Sequence, residues 1–142
     1  MAGSAARFAR RMRRWALAAL LLLAGPLYAQ WAAVGGTDRE TLYADAQTIR
    51  RAGKMARMWH LNDFREVQAD AGIRLLSIKR RQEYDCQTRR FRGLFYSWHS
   101  KNMGAGVVVL RSADPGGWIP VATANSASDI LWNMACAGHA PR

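Results

Sequence analysis

Residues 73–99 read IRLLSIKRRQEYDCQTRRFRGLFYSWH, and this stretch decides the fold. Its first half, Ile73 to Cys86, is long and begins with β-formers. Its second half, Phe91 to His99, is dense in aromatic residues. Both compositions are typical of strands, and the few residues between them are too short for anything but a turn. We therefore predict two antiparallel strands joined by a hairpin.

Charged residues on the two halves predict the register of this hairpin. A tight turn around residues 87–88 would place Asp85 opposite Arg90 and Glu83 opposite Arg92. Opposite charges facing each other across two strands contribute about 0.2–1 kcal/mol per pair. The charge pattern and the turn length thus favour the same register.

Short punctuated segments on either side of the hairpin predict about six strands in all. Segments 31–34, 40–44, 55–61 and 107–110 alternate in polarity or are β-branched, and 118–121 is expected to extend or flank the sheet. Between them, 45–53 is predicted as a turn or a single helical turn, capped by Asp45, anchored by Ile49 and ended by Gly53. The polar stretch 62–72 is predicted as a loop, and 102–106 as a glycine turn.

The end of the chain has a helical pattern. Ser126 with Asp129 three residues later forms a variant of the capping box. Apolar residues follow at helical spacing, Cys136 falls in the last turn, and Gly138 is placed to end the helix. The predicted fold class is therefore α+β: an antiparallel sheet of about six strands with one C-terminal helix packed on it.

Cys86 and Cys136 are the only cysteines of the 142-residue chain. In an oxidising compartment an even pair is most simply a disulfide, which here would tie the helix to the sheet. Closing a loop of about 50 residues stabilises a fold by roughly 4 kcal/mol. A reactive thiol or a metal ligand is the alternative, although neither CxxC spacing nor a nearby histidine ligand supports it.

Residues 1–29 have the features of a cleavable signal peptide. The first fourteen residues contain five arginines and no acid, an apolar run from Trp15 to Ala24 follows, and Ala29 is a small residue at the expected cleavage point. A membrane anchor is the alternative, but a spanning helix needs about 20 apolar residues. No cysteine follows the run, so no lipoprotein anchor is expected. The prediction is an exported protein, periplasmic or secreted, with a single domain at 30–142 and no membrane span.

Removal of this leader changes the charge of the chain. Five of the 21 basic residues lie in it and none of the ten acids does, so the formal net charge falls from +11 to +6. A moderately basic exported domain is not expected to bind nucleic acid.

The basic cluster Lys79, Arg80, Arg81 and Arg89 is the strongest candidate for a binding site. These four residues have no acid near them in sequence beyond those that pair across the hairpin. Their arginines suit sulfate and phosphate, because a planar guanidinium bonds two oxygens at once. The alternative is a solvated face with cross-strand ion pairs. Tyr96 and Trp98 on the next strand would add stacking area, and three of the five tryptophans after residue 29 are expected to be substantially buried.

No catalytic, metal or cofactor site is predicted. Ser97 and His99 share a face of their strand, but a triad also needs a third group that orients the base. Known nucleophile, zinc, phosphate-loop and dinucleotide motifs do not occur in the sequence. The protein is therefore expected not to be an enzyme.

The chain from Trp31 to Cys136 resembles the surface-adhesin protein E family of small exported bacterial proteins. The resemblance rests on the order and spacing of short pieces: Trp31, Leu42-Tyr43-Ala44-Asp45 with Thr48-Ile49 and Gly53, Met58-Trp59-His60, Glu83-Tyr84-Asp85-Cys86, Gly104-Ala105-Gly106, Trp118-Ile119-Pro120-Val121, and the helix ending at Cys136.

This resemblance implies an antiparallel sheet with a C-terminal helix and a host-matrix-binding adhesin held by a lipid. The chain departs from that pattern because it has no lipidation cysteine. Our first hypothesis is a binding module of the cell envelope that contacts host matrix or a polyanion. The second is a structural or accessory periplasmic protein that associates with another envelope protein. The sequence leaves the oligomeric state open.

Overall fold

The computed structural model describes residues 29–138; the predicted leader up to residue 28 and the last four residues lie outside this range. Seven strands form one antiparallel sheet, followed by one helix. The strands are β1 Ala32–Gly36, β2 Glu40–Ala52, β3 Met55–Asp70, β4 Ile73–Asp85, β5 Arg90–His99, β6 Val108–Ser112 and β7 Ile119–Pro120, and the helix is α1 Ala127–Cys136. The predicted α+β class and the C-terminal helix are confirmed.

The sheet is a meander in which each strand pairs with the next, in the order β1-β2-β3-β4-β5-β6. The central hairpin has the predicted register: Asp85 faces Arg90 and Glu83 faces Arg92. Two short strands share β5, since β6 pairs with its C-terminal half and β7 pairs with Arg90 and Phe91 at its start.

The predicted turn at 45–53 is wrong, because β2 continues through it to Ala52. The register with β3 shifts between Asp45 and Arg50, which marks a bulge. Side chains replace the missing ladder bonds: Asp45 Oδ1 accepts from the N–H of Gln47 at 3.0 Å, and Thr48 Oγ1 accepts from the N–H of Trp59 at 3.0 Å. Asp45 does cap a local turn, but that turn is a bulge inside a strand.

The predicted loop at 62–72 is also wrong, because β3 runs on to Asp70 and turns at Ala71 and Gly72. Its polar sequence reflects exposure and an irregularity in the strand, because the register with β4 shifts between Asp63 and Gln68. Asn62 pairs with Leu42 and Ile78 on the two neighbouring strands, while Gln68 to Asp70 pair with β4 alone. Strands that extend beyond the core have little apolar surface to bury, and they therefore lack a strand pattern.

Helix α1 packs on β1–β4 and closes the core. It begins as predicted, with the Ser126 hydroxyl accepting from the N–H of Asp129 at 3.2 Å. Small residues let the helix lie close to the sheet, among them Ala44, Ala56 and Ala135, each 0% exposed. Buried Leu42, Met58, Tyr84 and Leu131 complete the core.

The Cys86–Cys136 disulfide is confirmed and joins the end of β4 to the last turn of α1, with the two Cα atoms 5.5 Å apart. Two further contacts hold the same helix. Arg51 Nε donates to the carbonyl of Ala135 at 2.9 Å, and Trp132 Nε1 donates to the carbonyl of Asp85 at 3.0 Å. The C-terminus of α1 is thus held by the disulfide and by the Arg51 cation. The helix dipole favours a positive charge at this end.

Candidate functional site

The four predicted basic residues do not form one cluster. Directly paired residues in a sheet point to the same side. Arg80 is paired with His60 and Tyr96 and lies on the side that α1 covers, which we call the helix face. Lys79 and Arg81 alternate to the opposite side, which we call the second face. Polyanion binding by these residues stays a prediction.

Arg89 lies at the turn of the β4–β5 hairpin and is engaged within the fold. Its guanidinium donates to Asp129 Oδ1 at 2.8 Å and lies 4.5 Å from the ring centre of Trp132. Hydrogen bonds from Arg89 and from the backbone N–H of Asn125 lower the pKa of Asp129. Arg89 therefore connects the hairpin turn to the first turn of the helix, across 40 residues of sequence.

The second face combines free cations with aromatic rings. Neither Lys79 nor Arg81 has a hydrogen-bond or ion-pair partner among residues 29–138. Arg81 pairs in register with Trp59 on one side and Phe95 on the other, and those two rings meet edge to face at 5.5 Å. Lys79, Trp59 and Trp31 line an open cavity of about 450 Å³.

A buried carboxylate pairs with two further arginines of this face. Glu83 is 4% exposed and accepts from Arg57 Nε at 2.7 Å and from Arg92 Nη2 at 2.6 Å. Burial alone would raise the pKa of Glu83, but hydrogen bonds from Arg57 and Arg92 outweigh it and lower that pKa. Arg92 also lies 4.8 Å from the ring centre of Trp118.

Arg50 and Arg111 lie on the second face too, in register with Arg57 and Ser97, and Asp45 lines the same cavity as Lys79. Lys79 and Arg81 are therefore two of the cations that the second face offers to a ligand, and they are the two beside the Trp59 and Phe95 rings.

Arg80, on the helix face, lines a cleft of about 420 Å³ between the sheet and the start of α1. Burial lowers the pKa of Arg80, against the opposing influence of Glu40 and Tyr96. His60 beside it is 3% exposed, and its Nδ1 has no hydrogen-bond partner among residues 29–138. Burial and the charge of Arg80 lower the pKa of His60 to about 3, so the imidazole is neutral.

Sequence reasoning missed this cleft because the register between β3 and β4 was not available to it. With residues 62–72 read as a loop, nothing placed His60 opposite Arg80. The two-residue turn at Ala71 and Gly72 was the signal that could have found it, since such turns join paired strands.

Ser97 and His99 do make contact, at 2.8 Å between Oγ and Nε2, and both residues are buried. Burial and Lys79 lower the pKa of His99. Its Nδ1 has no partner in the described part of the chain, so no carboxylate orients the ring. A nucleophile needs both an oriented base and access to substrate, and this pair has neither.

The five tryptophans after residue 29 are all more buried than exposed, in keeping with the expectation that three are substantially buried, although none is fully buried. Trp132 and Trp118 are stacked against arginines, and Trp59 packs against Phe95. Trp132 also packs against the core, whose fully buried residues are smaller, such as Leu42, Met58 and Leu131.

The chain is a small disulfide-bonded α+β domain. It consists of an antiparallel meander with one C-terminal helix, and its surface presents basic and aromatic residues. The sequence profile of the family described as surface-adhesin protein E matches residues 31–137. The chain belongs to this family, whose description names an adhesin and not an enzyme.

Solved structures of Haemophilus influenzae protein E have the same fold. Crystal form II superposes with a TM-score of 0.57 at 12% identity, covering 82% of this chain and 95% of that one. A second structure of that protein gives a TM-score of 0.56 at 12% identity, covering 82% of this chain and 92% of that one. At such low identity the likeness shows the fold alone.

No curated protein matches the chain in sequence. Within residues 29–138, no helix has the length and apolar composition needed to cross a membrane.

Proposed function

We propose that this protein is an exported, non-catalytic binding module of the bacterial cell envelope, with an adhesin-like role. Membership of the surface-adhesin protein E family supports this proposal. So do the leader-like residues 1–29, which make domain 30–142 the mature part. The sequence supplies no lipidation cysteine, so we place the protein in the periplasm or the medium.

The second face is the surface that we assign to ligand binding, and its ligand is a polyanion such as a sulfated glycan of the host matrix. One observation carries this assignment: Lys79 and Arg81 remain without partners on a face that also presents Trp31, Trp59 and Phe95. Cations attract sulfate groups, and the aromatic rings supply stacking area for sugar rings. For this ligand, Arg80 on the helix face and Arg89 at the hairpin turn add only to the net positive charge of the protein.

Heparin chromatography of the exported protein tests this assignment. The variant Lys79→Gln with Arg81→Gln should elute at clearly lower salt than the wild type, because exposed charges bind polyanions through screened attraction. Arg39→Gln with Arg65→Gln removes two other exposed arginines and is the matched control. Equal elution of the two double variants would show that binding follows net charge and not the second face.

A second candidate is association with another envelope protein. Val107 and Val108, at the edge strand β6, are 66% and 52% exposed. An uncovered edge strand with apolar side chains is a common site of strand addition. The double variant Val107→Lys with Val108→Lys should lose this association. It should not elute from heparin at lower salt than the wild type.

A further inference from the structure

The first turn of α1, Arg80 and His60 surround one unfilled cleft on the helix face. Arg80 has no hydrogen-bond or ion-pair partner among residues 29–138, although burial disfavours its charge. A cation taken partly out of water is costly unless an anion or acceptor meets it. The fold supplies no such acceptor. Glu40 influences Arg80 only at a distance, and its carboxylate accepts instead from Asn62 Nδ2 at 3.2 Å.

The helix start adds a second positive element to the same cleft. Ser126, Ala127 and Ser128 form part of its wall. The first N–H groups of a helix have no intrahelical partner, and the helix dipole places about half a positive charge there. The acid of this turn, Asp129, is already engaged by Arg89 at 2.8 Å. The Ser126 hydroxyl caps the N–H of Asp129, so the N–H groups of Ala127 and Ser128, which have no hydrogen-bond acceptor among residues 29–138, are the ones available to an incoming anion.

His60 is a second, independent indication that this cleft is a binding site. It lines the cleft, is 3% exposed, and has no hydrogen-bond partner in the described part of the chain. Buried polar side chains are normally satisfied, and exceptions call for an explanation. A ligand oxygen bound in the cleft would give both the His60 ring and the Arg80 guanidinium a hydrogen-bond partner.

The remaining lining indicates what carries the anion. Gln82 and Asn62 offer amides, while Phe91, Leu42 and Leu131 offer apolar surface. A few polar groups beside an aromatic and aliphatic wall suit a sugar ring better than a bare ion. The volume of about 420 Å³ falls within the usual range for small-ligand pockets.

We propose that this Arg80 cleft binds a sulfate or phosphate ester group carried on a saccharide. The ester would lie between the Arg80 guanidinium and the start of α1, with the sugar against Phe91. This inference deepens the proposed binding function, but the cleft and the second face are on opposite sides of the sheet. Ligand binding at the cleft and ligand binding at the second face can therefore be confirmed or refuted separately.

The test measures the binding of glucose 6-sulfate, glucose 6-phosphate and glucose to the exported protein. Calorimetry gives the affinity, and the imidazole NMR signals of His60 report whether the ligand reaches the cleft. At least one ester should bind and shift the His60 signals, while glucose should bind at least about tenfold more weakly. Which ester binds better distinguishes a sulfated glycan from a phosphorylated envelope glycolipid as the source. Absence of binding by both esters would overturn the proposal.

Variants locate the site and separate it from the second face. Arg80→Gln should weaken ester binding about tenfold or more, whereas Arg65→Gln, an exposed arginine of β3 that lines neither surface, should change it less than about twofold. Ala127→Glu is the second variant, because an acid in the first turn favours the helix yet repels an anion. Ester binding that survives both Arg80→Gln and Ala127→Glu, or that falls equally in Arg65→Gln, would refute the cleft. Heparin elution of the Lys79 and Arg81 double variant reports separately on the second face.

Discussion

The backbone nitrogen of Gln30 donates a hydrogen bond to Asp45 Oδ2 at 3.0 Å, beside the bulge of β2. Asp45 is 4% exposed and has no ion-pair partner among residues 29–138. The side chain of Gln47 donates to the side-chain oxygen of Gln30 at 2.9 Å and holds the residue in place. A buried carboxylate thus faces the nitrogen that predicted cleavage after Ala29 would convert into an α-ammonium.

We expect this cleavage to strengthen the contact. A hydrogen bond between charged groups contributes about 1.5–3 kcal/mol, against about 0.5–1.5 kcal/mol for neutral partners. Asp45→Asn should therefore cost about 1 kcal/mol more in protein that begins at Gln30 than in protein that begins at Ala29. Urea unfolding of these four proteins measures the difference.

Two controls accompany the comparison. N-terminal sequencing of the exported protein should begin at Gln30. Mass spectrometry should show no loss of ammonia, because cyclisation of Gln30 would remove the charge. An equal cost of Asp45→Asn in both proteins would mean that the terminal charge does not reach the carboxylate.

The disulfide should supply a large share of the stability. Replacing Cys86 and Cys136 together by alanine restores the loop entropy of 50 residues to the unfolded chain, at a cost of roughly 4 kcal/mol. Chemical denaturation of the variant measures this loss. Unreduced, denatured wild type should not react with an alkylating reagent, and reduction should add two hydrogens to its mass. Free thiols in that sample would contradict the bond.

Arg89 should matter for stability and not for polyanion binding. Its contacts with Asp129 and Trp132 join the hairpin turn to the helix start. Arg89→Gln should therefore lower the urea midpoint more than Arg65→Gln, which removes an exposed arginine of β3. The two variants should elute from heparin at the same salt. Earlier elution of Arg89→Gln alone would place Arg89 in the binding surface.

Local chemistry in the sequence was enough to predict the hairpin and the helix. Turn length and charge set Asp85 opposite Arg90, and Ser126 with Asp129 marked the helix start. The error at Asp45 has a physical origin: a helix cap and a strand bulge both begin with a side-chain oxygen accepting an N–H two or three residues on. Only pairing with β3 distinguishes them, and that pairing is not local.

Long-range contacts explain what the sequence could not show of the site. Arg89 has no acid near it in sequence, yet Asp129 lies 2.8 Å away in the fold. Adjacent Arg80 and Arg81 formed one basic cluster in the sequence, but strand alternation sends them to opposite faces. A cluster on a strand must therefore be divided by face before it is assigned as a site.

Buried histidine predicts a loss of stability in mild acid. Burial and Arg80 lower the pKa of His60 to about 3 in the folded state, from 6.5 for the free side chain. The unfolded chain therefore binds the proton first as the pH falls below 6.5. Stability is complete above that pH and declines as the pH falls towards 3. Between pH 6.5 and 5 the loss from His60 is about 2 kcal/mol.

The variant His60→Gln separates this effect from other titrations. It removes the His60 proton, so stability should fall less steeply between pH 6.5 and 5, whatever the variant does to stability at pH 7. His99 also has a lowered pKa and supplies part of the remaining slope, which His60→Gln with His99→Gln should flatten further. Paired carboxylates such as Glu83 do not interfere, because their lowered pKa values affect stability only below about pH 4.5. Urea midpoints at pH 7, 6 and 5 measure the slopes, and an unchanged slope in His60→Gln would contradict a neutral, buried His60.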